Sequence, residues 1–228
     1  MLDLVCICDH TFFSGPITRK STVLDLGANQ GEFSRDIRDR YGCRVLAVEA
    51  DPSIFSALSS EDSIQYVNHA IGGVDGEVQL LASSVPMASS IVAVPFEGTT
   101  SSVSVAGITL ETLCQVYQID RVDLLKVDIE GAEIAMFDTA SDGFLRERIG
   151  QITIEFHDFC GLVTRADVNR IARRLRSLGY AEIRFCGTYD ALYVNRKTAG
   201  VSLHSRWSAW GVAQLIRAKR IAKRVVRG

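Results

Sequence analysis

Four charged residues fall within eight positions of the run Leu124-Leu-Lys-Val-Asp-Ile-Glu-Gly-Ala-Glu133: Lys126, Asp128, Glu130 and Glu133. Side chains along a strand repeat every two residues, so a strand here turns Lys126, Asp128 and Glu130 to one face. A second run, Ile154-Glu-Phe-His157, puts Glu155 and His157 on a common face by the same rule. Carboxylates gathered around an imidazole suit proton transfer, because histidine titrates near neutrality and a neighbouring acid can orient it. His157 is the first candidate for a general base and Asp128 the second. Glu155 is available to hold the imidazole tautomer, and Lys126 to pair with Glu130 or Glu155. Asp128, Glu130, Glu155 and His157 could also hold magnesium or manganese, although the proton chemistry does not require an ion.

A second group of residues points to a cofactor. Val23-Leu-Asp-Leu-Gly-Ala-Asn-Gln-Gly31 reads as a strand, a glycine-rich turn and the start of a helix. Glycines at 27 and 31 let the backbone turn sharply and approach a ligand, and the helix N-terminus offers unpaired N–H groups. Eighteen residues beyond Gly31, Glu49 closes the next strand in Val-Glu-Ala-Asp-Pro, where a carboxylate can accept from both ribose hydroxyls. Charge then selects among adenosine cofactors. A dinucleotide site needs G-x-G-x-x-G with no acid against the pyrophosphate, whereas Asp25 stands just before this turn. A carboxylate repels a pyrophosphate but suits the ammonium and sulfonium of S-adenosylmethionine. The expected donor-binding residues are Asp25, Gly27, Ala28, Asn29, Gly31, Glu49 and Ala50. His69, at the end of the third strand and level with an adenine ring, and Asp128 complete the set.

These residues require a scaffold that brings strand ends together. Apolar runs at Thr22–Leu26, Arg44–Glu49, Ile64–Asn68, Val122–Asp128 and Gln151–His157 predict strands, and their continuous apolar character predicts burial on both faces. Between them, Phe33, Ile37 and Tyr41, then Ile54, Phe55 and Leu58 after Pro52, recur at helical spacing. Such alternation implies a doubly wound α/β fold with a mainly parallel sheet. The stretch from Gly72 to Ser104 predicts a strand pair or ordered loops over the sheet edge, and Thr109 an N-cap for a helix reaching Tyr117. A helix from about Arg165 to Leu178 precedes two strands, Glu182–Cys186 and Ala191–Val194. Too few residues separate that pair for a crossover, so it is antiparallel.

With these motifs assembled, the sequence resembles the FkbM family of S-adenosylmethionine-dependent methyltransferases. The resemblance rests on DLGANQGEFS at 25–34, VEADP at 48–52, NHAIGGVDGEV at 68–78, TLETL at 109–113, LLKVDIEGAE at 124–133 and IEFH at 154–157. It implies a class I methyltransferase (Rossmann-like) fold and methylation of a hydroxyl oxygen on a sugar, glycan or polyketide. The acceptor pocket is expected to take its shape from the loop at 85–104 and the closing strands. The alternatives are a non-catalytic donor-binding or partner subunit and a nucleic-acid methyltransferase.

Composition bounds the rest. With 228 residues, 47% hydrophobic and 23% charged, one globular catalytic domain over residues 1–200 is expected. The first residues carry Asp3 and Asp9 and lack the basic lead and small-residue cleavage site of a secretory signal, which predicts a cytoplasmic protein. Of six cysteines only Cys6 and Cys8 are close, and no CxxC pair exists, which argues against a zinc or redox motif. Residues 201–228 hold seven basic and no acidic side chains, while residues 1–200 carry a net charge of −9. From Ser205 the tail predicts an amphipathic helix, with Trp207, Trp210, Leu215 and Ile221 opposite Arg217, Lys219, Arg220 and Lys223. It offers peripheral contact with the inner membrane face, or docking on the acidic body or on a second subunit. The acidic body argues against nucleic acid.

Overall fold

The computed structural model describes residues 4–83, 99–184 and 190–201. The chain opens on an antiparallel hairpin, β1 (Leu4–Ile7) and β2 (His10–Phe13), turned by Cys8 and Asp9 in the left-handed region. Then come β3 (Thr22–Leu26), α1 (Glu32–Tyr41), β4 (Arg44–Glu49), α2 (Pro52–Phe55) and β5 (Ile64–Asn68). β6 (Ala70–Ile71), β7 (Gly76–Ser83) and β8 (Thr99–Ile108) make a separate small sheet in which β8 is central. The chain continues through α3 (Leu110–Val116), β9 (Val122–Val127), α4 (Glu133–Thr139), α5 (Asp142–Arg148) and β10 (Ile149–Glu155). It closes with α6 (Arg165–Ser177), β11 (Tyr180–Arg184) and β12 (Asp190–Asn195).

The large sheet has the order β11-β12-β10-β9-β3-β4-β5. β5, β4, β3, β9 and β10 are mutually parallel, and β12 runs antiparallel to both β10 and β11. The winding reverses between β3 and β9, so the carboxyl ends of these two strands flank a switch point, where α/β sheets hold their ligands. The continuous apolar strands are explained by cover on both faces. Leu24, Leu26, Leu46, Val48, Leu125 and Val127 pack beneath Leu113, Phe137 and Leu175 of α3, α4 and α6. Their neighbours Val23, Val45, Ala47 and Leu124 pack with Phe12, Phe13 and Ile37 of the hairpin and α1.

Local signals agree with the sequence at several ends. Thr109 caps α3 by accepting from the Thr112 N–H, and Asp51 caps α2, with Pro52 in its first turn. Boundaries differ elsewhere, and β11 begins at Tyr180 rather than Glu182. β9 ends at Val127 and β10 at Glu155, so Asp128 and His157 lie in the turns beyond the strands, and α2 stops before Leu58. The predicted tail helix from 205 onward and most of the 85–104 loop lie outside the described residues. Among the described residues no helix is long and apolar enough to cross a membrane.

Candidate active site

A cleft enclosing about 700 Å³, part of it open to solvent, lies at the carboxyl ends of β3, β4 and β9. Gly27, Asn29, Glu49, Ala50, His69 and Asp128 line it, together with Ile54, Ile129, Glu130 and the edge of the small sheet. The glycines are required by close packing. Gly27 has φ 77°, and a Cβ there would overlap the Asp128 carbonyl, because the turns after β3 and β9 lie back to back. Gly31 has φ 76°, and a Cβ would run into the Tyr66 hydroxyl.

The amides of the turn are largely spent inside the protein. Gly27 and Ala28 donate to the Val48 carbonyl at 3.0 and 2.9 Å, and Gly31 to the Ala28 carbonyl at 2.8 Å. Asn29 N–H donates to Glu49 Oε2 at 2.7 Å, and Asp51 N–H to Oε1 at 2.8 Å. Burial pushes the Glu49 carboxyl above its usual range, and these two N–H groups partly offset that. An ionised carboxylate has about four acceptor positions, so Glu49 keeps room for two further donors on its cleft side. Across the cleft, His69 Nε2 lies 3.3 Å from the Tyr117 hydroxyl. Its buried Nδ1 has no hydrogen-bond partner among the described residues.

Asp25 and Lys126 are corrected by the structure. Asp25 is fully buried and does not border the cleft; Lys126 Nζ lies 3.0 Å from its Oδ1, and the Ser34 hydroxyl donates to its Oδ2 at 2.6 Å. Lys126 pairs with Asp25 rather than with Glu130 or Glu155, and its ammonium also donates to the carbonyls of Gly27 and Leu26 at 2.5 and 3.3 Å. Burial favours the neutral amine, but Asp25 and Asp128 outweigh it and hold Lys126 above its ordinary range. The pair therefore shapes the glycine turn from below. Ala28 is packed in the core and Gly31 lies at the N-terminus of α1, so neither faces the cleft.

The opposite side of the cleft is built from charges. His157 Nδ1 is 2.7 Å from Glu133 Oε1, and its Nε2 is 3.2 Å from Glu130 Oε2 and 3.6 Å from Asp128 Oδ1. A carboxylate beside each ring nitrogen favours the charged imidazolium. Burial would discharge it, but Glu133, Glu130 and Asp128 together push its pKa up to about 9. This overturns the expectation that Glu155 orients His157: the orienting acid is Glu133, which is fully buried in the first turn of α4 and also accepts from Gly131 N–H. His157 itself is buried, with a carboxylate beside each of its ring nitrogens.

Glu130 sits in the left-handed region, φ 48°, and its carboxyl is pushed up to about 7 by burial and by its acidic neighbours Asp128, Glu133 and Glu155, against His157. Asp128 behaves oppositely. Burial works against its charge, yet the His10 ring beside it and the charges of Lys126 and His157 hold it well below the usual carboxylate range. Glu155 is raised by burial and by Asp128. Sequence reasoning missed His10, which reaches this cluster from β2, with Nε2 3.6 Å from Asp128 Oδ2. The available signal was Cys8-Asp9 as a two-residue turn between the apolar runs at 4–7 and 10–13.

Residues 25–181 match the family model described as the methyltransferase FkbM domain. No curated protein matches the chain significantly in sequence. Among solved structures the chain is similar to magnesium protoporphyrin IX methyltransferase from Synechocystis, at 11% identity over 79% of this chain and 74% of that one, with a TM-score of 0.41. It is also similar to a TehB-like SAM-dependent methyltransferase from Corynebacterium glutamicum, at 14% identity over 77% and 80% of the two chains, with a TM-score of 0.39. The doubly wound sheet closed by an antiparallel pair is the class I methyltransferase fold.

Proposed function

We propose that this chain, which belongs to the FkbM methyltransferase family, uses S-adenosylmethionine to methylate a hydroxyl oxygen of a sugar, glycan or polyketide-type acceptor. The observation that carries this reading is a single cleft with an adenosine-type carboxylate, Glu49, on one side and ionised Asp128 beside Glu130 on the other. The turn between them has committed its amides internally, which disfavours a pyrophosphate. The residues also fit the donor in detail. Glu49 has acceptor positions left for a ribose diol, His69 lines the same cleft, and Asp128 offers negative charge to a cationic group.

When bound, the donor supplies an electrophilic methyl group on a sulfonium. The chain's share of the work is alignment and proton removal. Asp128 and Glu130 border the space where an acceptor hydroxyl meets the donor, and Glu130 takes the hydroxyl proton as oxygen gains the methyl group. His157 serves as the fixed cation that positions Glu130, and Glu133 holds His157 in place. This replaces the reading of His157 as the base.

The test is turnover with a panel of hydroxylated glycosides and macrolide aglycones and a ¹³C-methyl donor. Release of S-adenosylhomocysteine together with a new methoxy carbon signal is expected. Methyl transfer confined to nitrogen or carboxylate acceptors would contradict the assignment.

A further inference from the structure

We propose that His10, Asp128 and Glu155 form a binding site for a divalent first-row transition ion, with manganese as its probe. The three side chains come from β2, the turn after β9 and the end of β10, and one ligand atom of each lies within 4.8 Å of the others. His10 is the informative member, because it is 2% exposed and turns a ring nitrogen toward Asp128. Its Nε2 stands 3.6 Å from Asp128 Oδ2, beyond hydrogen-bond distance. Two atoms bonded to one ion at about 2.1 Å lie about 3.0 Å apart at an octahedral angle and about 3.4 Å at a tetrahedral one. The observed spacing is within a few tenths of an ångström of what two ligands of a shared ion take.

Charge supports the same conclusion. Lys126 lies 3.7 Å from Asp128 Oδ2, but its closest contacts are Asp25 and the Gly27 carbonyl. His157 lies 3.6 Å from Asp128 Oδ1, but its closest contacts are Glu133 and Glu130. Asp190, the other acid near His10, accepts from Thr11 N–H at 2.8 Å and from the Thr153 hydroxyl at 2.9 Å. Asp128 and Glu155 then face one another with the His10 ring beside them.

The imidazole is held rigidly. Phe13 N–H donates to Gln151 Oε1 and Gln151 Nε2 donates to the Phe13 carbonyl, so β2 is fastened over β10, and the His10 ring meets Phe33 edge-on. One imidazole with two carboxylates suits manganese or iron better than calcium. An ion here would take the acceptor hydroxyl as a further ligand and make it more acidic, a role that rests on the methyl-transfer reading. Binding of the ion does not depend on that reading.

The test uses the metal alone on the full-length protein after treatment with EDTA. Titration with Mn²⁺, followed by electron paramagnetic resonance of the free ion, should show one bound ion per chain. His10→Ala and Glu155→Gln should each weaken binding about tenfold or more, with thermal unfolding of the metal-free variants confirming that they are folded. Spin-echo modulation from an imidazole nitrogen should appear on the bound ion and vanish in His10→Ala. If His10→Ala fails to fold, Glu155→Gln decides alone. Absence of saturable binding overturns the proposal. So does a nitrogen signal that survives His10→Ala and disappears in His157→Ala, which would put the ion beside Glu130. Affinity for S-adenosylmethionine, measured on the same preparations, separates the two readings: its loss with Mn²⁺ binding intact would count against methyl transfer alone.

Discussion

The two sides of the cleft solve the problem of a buried carboxylate in different ways. Glu49, on the glycine-turn side, is steadied by backbone N–H groups of residues 29 and 51, with no cation in contact among the described residues. Asp128, Glu130 and Glu133, on the other side, are steadied by side-chain cations, Lys126 and His157, at 2.7 to 3.7 Å. A backbone-held carboxylate depends on local chain geometry and tolerates loss of distant residues. A carboxylate held by other charges depends on every member of the group, since removing one partner leaves another buried and unbalanced. The glycine-turn side should therefore respond to substitution as a binding surface, and the charged side as a coupled unit.

The largest test of that contrast is Asp128→Ala. It removes the one acid shared by His10, Lys126 and His157, and turnover should fall about 10³-fold, measured as release of S-adenosylhomocysteine. A loss below tenfold would mean that the charged side is not the reacting side. Next comes Glu133→Gln, which leaves the His157 cation short of its closest partner. Breaking a buried pair in this way costs about 3–5 kcal/mol, to be read from urea unfolding, and a change under about 1 kcal/mol would show the unit to be less coupled than its geometry indicates.

The same unit should show itself in pH dependence. The His157 pKa rises from about 6.5 in an unfolded chain to about 9 in the folded one. Its contribution is complete below pH 6.5 and is lost as pH rises through 9, so stability should decline across that window by up to about 3 kcal/mol. His157→Asn should flatten the decline, and an unchanged slope would assign it to another group. The smallest effect belongs to the glycine-turn side. Glu49→Gln keeps the shape and loses the charge, and should weaken donor affinity about tenfold while unfolding stays near wild type. Equal damage to stability would erase the distinction between the two sides.

The same division separates what could be read in the sequence from what could not. The strand-turn-helix at residues 23–41, Glu49 at a strand end and the Thr109 cap are set by neighbours within a few positions, and the sequence shows them directly. The seven-stranded sheet and its antiparallel closing pair follow from alternating periodicities and short connections. The charged side resists such reading because its partners are far apart in the chain. Lys126 finds Asp25 across the β3–β9 pairing, and His157 finds Glu133 only once α4 is docked. Alternation along a strand brings Lys126 and Asp128 to one region, but cannot tell which acid neutralises the ammonium. The left-handed turn at Glu130, φ 48°, and Gly131, φ 97°, redirects what the strand period would aim. His10 was hidden for a similar reason, because a short hairpin shows its function only through what it is packed against.

The most direct test of the account is calorimetric titration of the full-length protein with S-adenosylmethionine and, separately, with NAD. The arrangement of Glu49, the committed turn amides and Asp128 predicts one S-adenosylmethionine per chain at micromolar affinity and no heat from NAD. Saturable binding of NAD without S-adenosylmethionine would contradict it, as would a folded protein that binds neither.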